Sequence, residues 1–343
     1  MYSYVIRHYQ SGRTTEDLIS IYVKCIHRVV HQNILTTLHI KTDNDANRMY
    51  LISLNDAKAE LDGWDDHSFD CCITDPPYGM GMEHWDYSVP TVELWQEVYR
   101  TLKPGAFLLS FCSPQLYHRM AVNVEDAGFE IKDQIMWMVT TKMPKTNRLK
   151  PAHEPIVVAQ KPCEGSIEKN YAKYGVGKIN IEDARVPWDG KPPTGWVAGG
   201  VKRRTFGKDG KTTGTQKEFG KVDANPKGRY PSNIVGTVLK EHQKYFYAPR
   251  ATRKEKGENN DHPTVKPVAL MEWLVKIYCP EKGTVLDPFC GSGTTGVASL
   301  PTERSFIGIE KEPEYARIAE ERCSVAEVPT EFTPLDFNTL QLN

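Results

Sequence analysis

One segment limits the fold more than any other. Thr284-Val285-Leu286 runs into Asp287-Pro288-Phe289-Cys290-Gly291-Ser292-Gly293-Thr294-Thr295-Gly296. An apolar run closing on an acid and a glycine cluster reads as a strand, a tight turn and a helix start. Gly291, Gly293 and Gly296 satisfy the spacing G-x-G-x-x-G, and Glu310 closes the next apolar run, 23 residues after Asp287. Glycines let the backbone approach a ligand closely, and an acid at about that distance is where the ribose hydroxyls of a bound nucleoside are gripped. Such a unit belongs in a parallel sheet.

Apolar periodicity elsewhere agrees. Met49–Leu54 and Phe69–Thr74 read as buried strands, Val92–Leu102 as a helix stopped by Lys103-Pro104-Gly105, Ala106–Phe111 as a strand, Gln115–Ala127 as a helix and Phe129–Val139 as a strand. The pattern resumes at Pro267 with a helix through Ile277, the strand Thr284–Leu286 and the strand Ser305–Ile309. Alternating strands and helices predict an α/β protein with a doubly wound, mostly parallel sheet. Residues 1–47 read as an N-terminal extension, with a helix capped at Thr14 or Thr15 and an apolar face of Leu18, Ile21, Cys25 and Val29. Residues 162–245 are rich in Gly, Pro, Lys and Thr, too long for a plain loop, and read either as disordered or as a functional insert with its own small fold.

The glycine fingerprint alone also fits a nicotinamide cofactor. Asp287, directly before the loop, is better explained by a ligand with an ammonium group, such as the methionine end of S-adenosylmethionine. A second motif bears on the same question. Asp75-Pro76-Pro77-Tyr78 closes the strand Phe69–Thr74, and two prolines make one rigid turn that lacks two backbone donors. A carboxylate, carbonyl oxygens and an aromatic face suit a planar base bearing an amino group. The Asp75 carboxylate and the Pro76 carbonyl can accept both amino hydrogens, which draws the nitrogen lone pair out of conjugation. Tyr78 can stack on the base, as chemistry on a flipped base requires.

Charge distribution adds a partner. Net charge is −1 over 343 residues, yet Gly200–Tyr230 carries nine basic residues against three acids. Lys202, Arg203, Arg204, Lys208 and Lys211 are its densest part and suggest a local anion-binding face. From Glu310 onward, acids outnumber bases by eight to three. Eight cysteines without a Cys-x-x-Cys pair read as reduced thiols in a cytoplasmic protein, with no metal site. No apolar run reaches the roughly 18 residues of a membrane span, and no signal peptide is visible at Met1-Tyr2-Ser3-Tyr4.

Together Asp75–Tyr78, His262-Pro263-Thr264-Val265-Lys266-Pro267 and Asp287–Gly296 resemble three signature motifs of amino-group DNA methyltransferases. The catalytic turn precedes the cofactor loop, as in the circularly permuted β-class, and His118-Arg119-Met120 and Lys150–Pro155 look like members from phages and prophages. The resemblance covers about Met49 to Cys323. It implies a seven-stranded sheet of the S-adenosylmethionine-dependent methyltransferase fold, with the strands ending at Asp75 and Asp287 side by side. It divides the chain into a catalytic half (48–161), a target-recognition insert (162–245), a cofactor-binding half (246–325) and a C-terminal tail (326–343).

By the same resemblance, Asp75, Pro76, Pro77 and Tyr78 form the catalytic turn. Asp287, Phe289, Gly291, Gly293 and Thr294 contact S-adenosylmethionine, Glu310 binds its ribose, and Asp56 reaches its adenine, although Asn55 stands where the family usually has Gly. Thr264 and Lys266 lie near the methionine carboxylate. Double-stranded DNA is the implied partner, and a homodimer and a cognate restriction endonuclease are compatible with it. Asp at the head of the turn points to adenine N6, with cytosine N4 as the alternative. An RNA or protein-amide methyltransferase and a non-catalytic DNA-binding protein are the remaining readings. Trp85, Trp137 and Trp196 are candidates for base stacking, Trp137 lying in an apolar run that suits the core. Direct transfer needs no covalent nucleophile, so Cys71, Cys72 and Cys290 read as packing residues.

Overall fold

The computed structural model describes residues 36–43, 46–81, 86–139, 151–188, 225–236 and 265–326. Among them nine strands form one sheet: β1 (Thr36–Asp43), β2 (Ala46–Leu54), β3 (Phe69–Thr74), β4 (Leu102–Phe111), β5 (Glu130–Met138), β6 (His153–Gln160), β7 (Ile234–Gly236), β8 (Thr284–Asp287) and β9 (Ser305–Glu310). The order is β1-β2-β9-β8-β3-β4-β6-β5-β7. Pairing is parallel from β2 through β9, β8 and β3 to β4 and again between β5 and β7, and antiparallel at β1-β2, β4-β6 and β6-β5.

Seven α-helices lie among the described residues: α1 (Ala57–Asp62), α2 (Val92–Thr101), α3 (Tyr117–Asp126), α4 (Ile167–Tyr174), α5 (Val268–Tyr278), α6 (Thr294–Ser299) and α7 (Pro313–Ser324). Side chains alternate across each strand. Tyr50, Ile52, Cys71, Ile73, Leu109, Val285 and Phe306 join one buried cluster with Leu270 and Leu274 of α5, Ala298 of α6 and Ala319 of α7. Leu51, Cys72, Leu108, Leu286 and Ile307 join a second with Leu61 of α1, Trp95 and Val98 of α2 and Met120 of α3. Both faces of the sheet are covered, which is why Cys71-Cys72-Ile73 of β3 and Val285-Leu286 of β8 are consecutive apolar residues rather than alternating ones.

The α/β, doubly wound expectation holds, but the sheet has nine strands instead of seven. The central seven, β2-β9-β8-β3-β4-β6-β5, are extended at both edges. Residues assigned to the N-terminal extension supply β1, which pairs with β2 from Thr36↔Ser53 to Asp43↔Ala46. Residues assigned to the insert supply β7, parallel to β5. Both are edge additions of mixed polarity or short length, and satisfy backbone groups that an edge leaves open. Strand β6 was not legible either: Pro155 near its start breaks the pattern, tolerated because the pairing with β4 only begins at Ile156. The expected stop at Lys103-Pro104-Gly105 lies inside β4, since α2 passes directly into that strand at Leu102.

Register decides what meets at the carboxyl edge. Cys72 pairs with Leu286, Asp287 with Gly308, Leu54 with Glu310 and Thr74 with Ser110. The loops bearing Asp56, Glu310, Asp287 and Asp75 therefore leave one edge of the sheet, around the point where the strand order departs in opposite directions from β8 and β3. That is where open α/β sheets bind ligands.

The described ends of the insert are attached to this body. Ser166 caps α4 by accepting from Lys169 N, and Gly175 ends it at φ +74°. Buried Asn170 donates to the Pro104 carbonyl of β4 at 2.8 Å. Further on, Val186 and Arg229 form a bridge, and Trp188 Nε1 donates to the Asn225 carbonyl at 2.7 Å. Residues 189–224, with Lys202, Arg203, Arg204, Lys208, Lys211 and Trp196, lie outside the described residues, as do Thr264, Trp85, the N-terminal helix and the C-terminal tail from 327. Among the described residues no helix is long and apolar enough to cross a membrane, and no cluster of His, Cys, Asp and Glu has metal-site geometry.

Candidate active site

At the end of β3 the chain turns through Asp75-Pro76-Pro77-Tyr78 with Pro76 buried. The Tyr78 hydroxyl donates to Oδ1 of Asp75, and the Lys266 ammonium donates to Oδ2. Burial, followed by the carboxylates of Asp75 and Glu154, raises the Tyr78 phenol well above its ordinary value, so it stays a donor. Lys266 lies 5.1 Å from the ring centre of Phe111 and 5.9 Å from that of Tyr78. The ammonium expected near a cofactor carboxylate thus sits on the Asp75 carboxylate, brought there from the residue before Pro267, the N-cap of α5.

A residue that pattern reading missed shapes this turn. Asp86, 5% exposed, accepts from the backbone N–H groups of Tyr78 (2.7 Å), Gly79 (2.7 Å) and Met80 (3.1 Å). Its own carbonyl accepts from Gly81 N at 2.8 Å. Gly79 adopts φ +69°, and a Cβ there would come within 3.1 Å of Ser88 Cα. A buried carboxylate needs such donors, and these come from the turn that presents Tyr78. An acid eight residues beyond a turn carries no local signal that the turn will wrap around it.

The glycine loop begins with Asp287, 2% exposed. Its Oδ1 accepts from the Thr74 hydroxyl at 2.7 Å and from Phe289 N at 3.1 Å, and its Oδ2 accepts from the Thr295 hydroxyl at 2.6 Å. Burial raises its pKa from 3.8 to about 7, against the opposing pull of these donors. The carboxylate is turned into the protein, tying β3, β8 and α6 together. Oδ2 takes a single donor and keeps capacity for a second, so the contact with a ligand ammonium expected for Asp287 is compatible with this positioning role. Thr74 and Thr295 are further residues that the sequence alone did not single out.

Gly291 (φ +50°) and Gly293 (φ +77°) take left-handed conformations that other residues avoid. Gly293 and Gly296 are also packing glycines: added Cβ atoms would lie 2.8 Å from Ala319 Cβ and 2.5 Å from Phe306 Cδ1. Thr294 is 7% exposed, and its hydroxyl accepts from Arg322 of α7 at 3.1 Å, which also reaches Ser292 O at 2.5 Å. Arg322 braces the loop from behind. Phe289 is partly buried against the α1–α3 side of the core.

Glu310 ends β9 and accepts from Gly291 N (2.8 Å), Glu312 N (2.8 Å) and Lys311 N (2.9 Å). Burial raises its carboxyl above the ordinary value. Asp56 is exposed and caps α1, accepting from Lys58 N at 3.1 Å and Ala59 N at 3.3 Å. Asn55 N donates to the Glu310 carbonyl at 3.1 Å, which holds the two acidic loops together. The structure thus gathers Asp56, Phe289, Gly291, Gly293, Glu310, Asp75, Tyr78 and Lys266 along one edge. Trp137 is 8% exposed and stacks edge-on against Phe111 at 6.0 Å, a core residue.

Comparison with known proteins bears on this arrangement. The chain is 27% identical over 282 residues to the Type II methyltransferase M.HpaI of Haemophilus parainfluenzae, covering 79% of this chain and 73% of that protein. It is 25% identical to the Type II methyltransferase M.BglI of Bacillus subtilis, covering 77% and 82%. The solved PvuII DNA methyltransferase (cytosine-N4-specific), 16% identical, superposes with a TM-score of 0.52 over 80% of this chain and 86% of that one, and shares the fold. A family model described as DNA methylase matches residues 69–321. That span is more than half of the chain and contains both the Asp75–Tyr78 turn and the Asp287–Gly296 loop, and the chain belongs to this N6/N4 DNA methylase family.

Proposed function

We propose that the protein methylates the exocyclic N6 amine of adenine in double-stranded DNA at specific sites, by base flipping and direct transfer from S-adenosylmethionine. The observation that supports this most is the adjacency of Asp75 and Asp287 at the ends of neighbouring parallel strands, linked through Thr74. A turn suited to an amine and a loop suited to a nucleoside cofactor then open into the same space.

The residues present fit that cofactor. Each carboxylate oxygen accepts more than one hydrogen bond, so Glu310 can take ribose hydroxyls while keeping its backbone donors. Asp56 at the neighbouring strand end is exposed toward solvent and can receive the adenine amine. Gly291, Gly293 and Phe289 would line the approach. The cofactor supplies an electrophilic methyl group on a sulfonium.

Asp75 and the Pro76 carbonyl accept the two amine hydrogens of the flipped base and turn its nitrogen lone pair toward that methyl carbon. S-adenosylmethionine held by Glu310, Asp56 and the glycine loop would supply the methyl group to that nitrogen and leave as the neutral thioether. The nitrogen, now cationic, passes one proton through Asp75 to water. Orientation and electrostatics carry the rate, with no covalent enzyme adduct. Burial raises the thiols of Cys71, Cys72 and Cys290 well above the ordinary value, which suits packing and opposes nucleophilic use. Lys202, Arg203, Arg204, Lys208 and Lys211 neutralise DNA phosphates.

Adenine is favoured over cytosine by Asp at the head of the turn. The names of the relatives suggest a restriction-modification setting and hence a partner endonuclease. The test is mass spectrometry of nucleosides from DNA incubated with the protein and labelled cofactor, with Asp75→Ala as control. N6-methyladenine is expected with the wild type, and the Asp75→Ala variant should bind cofactor yet transfer nothing. N4-methylcytosine would overturn the choice of base, and no methylated nucleoside would overturn the reading.

A further inference from the structure

We propose that Lys266 is an internal placeholder for the target amine, holding Asp75 until a base displaces it. This rests on the reading of Asp75 as the amine acceptor. The Lys266 side chain is 7% exposed and that of Asp75 19%. Its ammonium donates to Oδ2 of Asp75 while the Tyr78 hydroxyl donates to Oδ1. Both oxygens are thus engaged by the chain itself, where an exocyclic amine would donate. The rings of Phe111 and Tyr78 flank the ammonium at 5.1 and 5.9 Å, so the seat it fills is polar at one end and aromatic at its walls, as a planar amino base requires.

Lys266 cannot keep that seat during transfer. The target nitrogen gains positive charge as its new bond forms. Asp75 stabilises that charge only when its own is not already balanced by an ammonium, and an ammonium in contact with the same carboxylate repels the nitrogen. Lys266 therefore withdraws as the base arrives, which its flexible stem permits. Its presence beforehand has a physical reason too. A carboxylate left unpaired in a half-buried site is costly, and a displaceable internal donor removes that cost without filling the site permanently. The base and the lysine compete for one carboxylate, and the apparent affinity for a flipped base falls by the fraction of molecules in which the lysine is seated.

The test uses the full chain and a duplex carrying 2-aminopurine immediately beside the adenine that sequencing identifies as methylated, so that the target keeps its 6-amine and its departure from the stack is read in the neighbour's fluorescence. Without cofactor, Lys266→Met is expected to increase 2-aminopurine fluorescence and to tighten duplex binding about fivefold, by removing that competition. Lys266→Gln, which keeps a donor without the charge, falls between and serves if the methionine variant melts early. In an Asp75→Ala background, Lys266→Met should change neither quantity. Flipping equal to wild type in both lysine variants overturns the placeholder, and weaker flipping does so as well, since the lysine would then be helping to hold the base. A wild-type chain that methylates no DNA overturns the amine-acceptor reading and this inference together. A methylating wild type with unaltered flipping in the variants overturns this inference alone.

Discussion

The Thr74 hydroxyl donates to Oδ1 of Asp287 at 2.7 Å, joining the last residues of β3 and β8 across neighbouring parallel strands. Thr74 immediately precedes Asp75, and Asp287 opens the glycine loop. A single buried hydrogen bond therefore ties the Asp75 turn to the glycine loop, the two parts proposed to hold the acceptor and the donor. Catalysis by orientation depends on such spacing, because small displacements of reacting groups cost rate steeply.

Asp287 makes that tie sensitive to pH. Its folded-state pKa of about 7 lies above the ordinary 3.8, so the fold favours the neutral acid. The contribution to stability is full below about pH 4 and is lost as pH rises through about 7. At about 1.4 kcal/mol per decade the ionisation cost is of the order of 4 kcal/mol. Asp287→Asn can keep the oxygen acceptor for Thr74 and Phe289 and offer its amide to Thr295, with no charge to bury. Its melting temperature relative to wild type should rise between pH 5 and pH 8. A difference independent of pH would contradict this.

Asp86→Ala leaves the N–H groups of Tyr78, Gly79 and Met80 without their shared acceptor. Unsatisfied donors cost about 1–3 kcal/mol each when buried, and the turn should lose its fixed shape. Methyl transfer is expected to fall by about tenfold to a hundredfold, equivalent to about 1.4–2.8 kcal/mol, with cofactor affinity by calorimetry unchanged. Asp86→Asn retains the Oδ1 hydrogen bonds from Tyr78 and Gly79 and should lose less. Equal loss in both, or a parallel loss of cofactor binding, would rule out a role confined to the turn.

Gly293→Ala combines a left-handed φ of +77° with a Cβ 2.8 Å from that of Ala319. Neither can relax without moving α7, whose Arg322 braces Ser292 and Thr294. Destabilisation of about 2 kcal/mol or more is expected from strain and overpacking, with weakened cofactor binding. Denaturant unfolding and calorimetry on the same preparation check both, and a wild-type midpoint would refute the packing role.

Replacing Lys202, Arg203, Arg204, Lys208 and Lys211 together by Ala should flatten the salt dependence of DNA binding. Each phosphate that is no longer neutralised lowers the slope of log K against log salt by about 0.9, so the reduction can reach about 4.5. Cofactor affinity should be untouched. An unaltered slope would place the DNA-binding surface elsewhere.

Much of the site could be read from the chain. Rigid prolines after Asp75, glycines at fixed spacing after Asp287 and an acid at Glu310 are local requirements of backbone geometry, written in adjacent residues. The consecutive apolar residues Cys71–Ile73, Val285–Leu286 and Phe306–Ile307 within β3, β8 and β9 likewise announced strands covered on both faces. Edge strands β1 and β7 did not announce themselves, because a strand paired on one side needs little apolar character, and Pro155 disguised β6.

The sequence by itself determined the fold class, the family motifs and the order of amine turn and glycine loop. Only the tertiary structure decided which groups those motifs would face. Lys266 meets Asp75 across 191 positions of chain, and Thr74 meets Asp287 across 213. Such partners depend on strand order and register, which no local pattern encodes. Burial then separated the roles of three carboxylates. Asp86 shapes the turn, Asp287 joins the strands, and Asp75 remains at the edge, held by a lysine. The physical reason is desolvation: a buried carboxylate must find donors, and the fold alone determines which ones lie within reach.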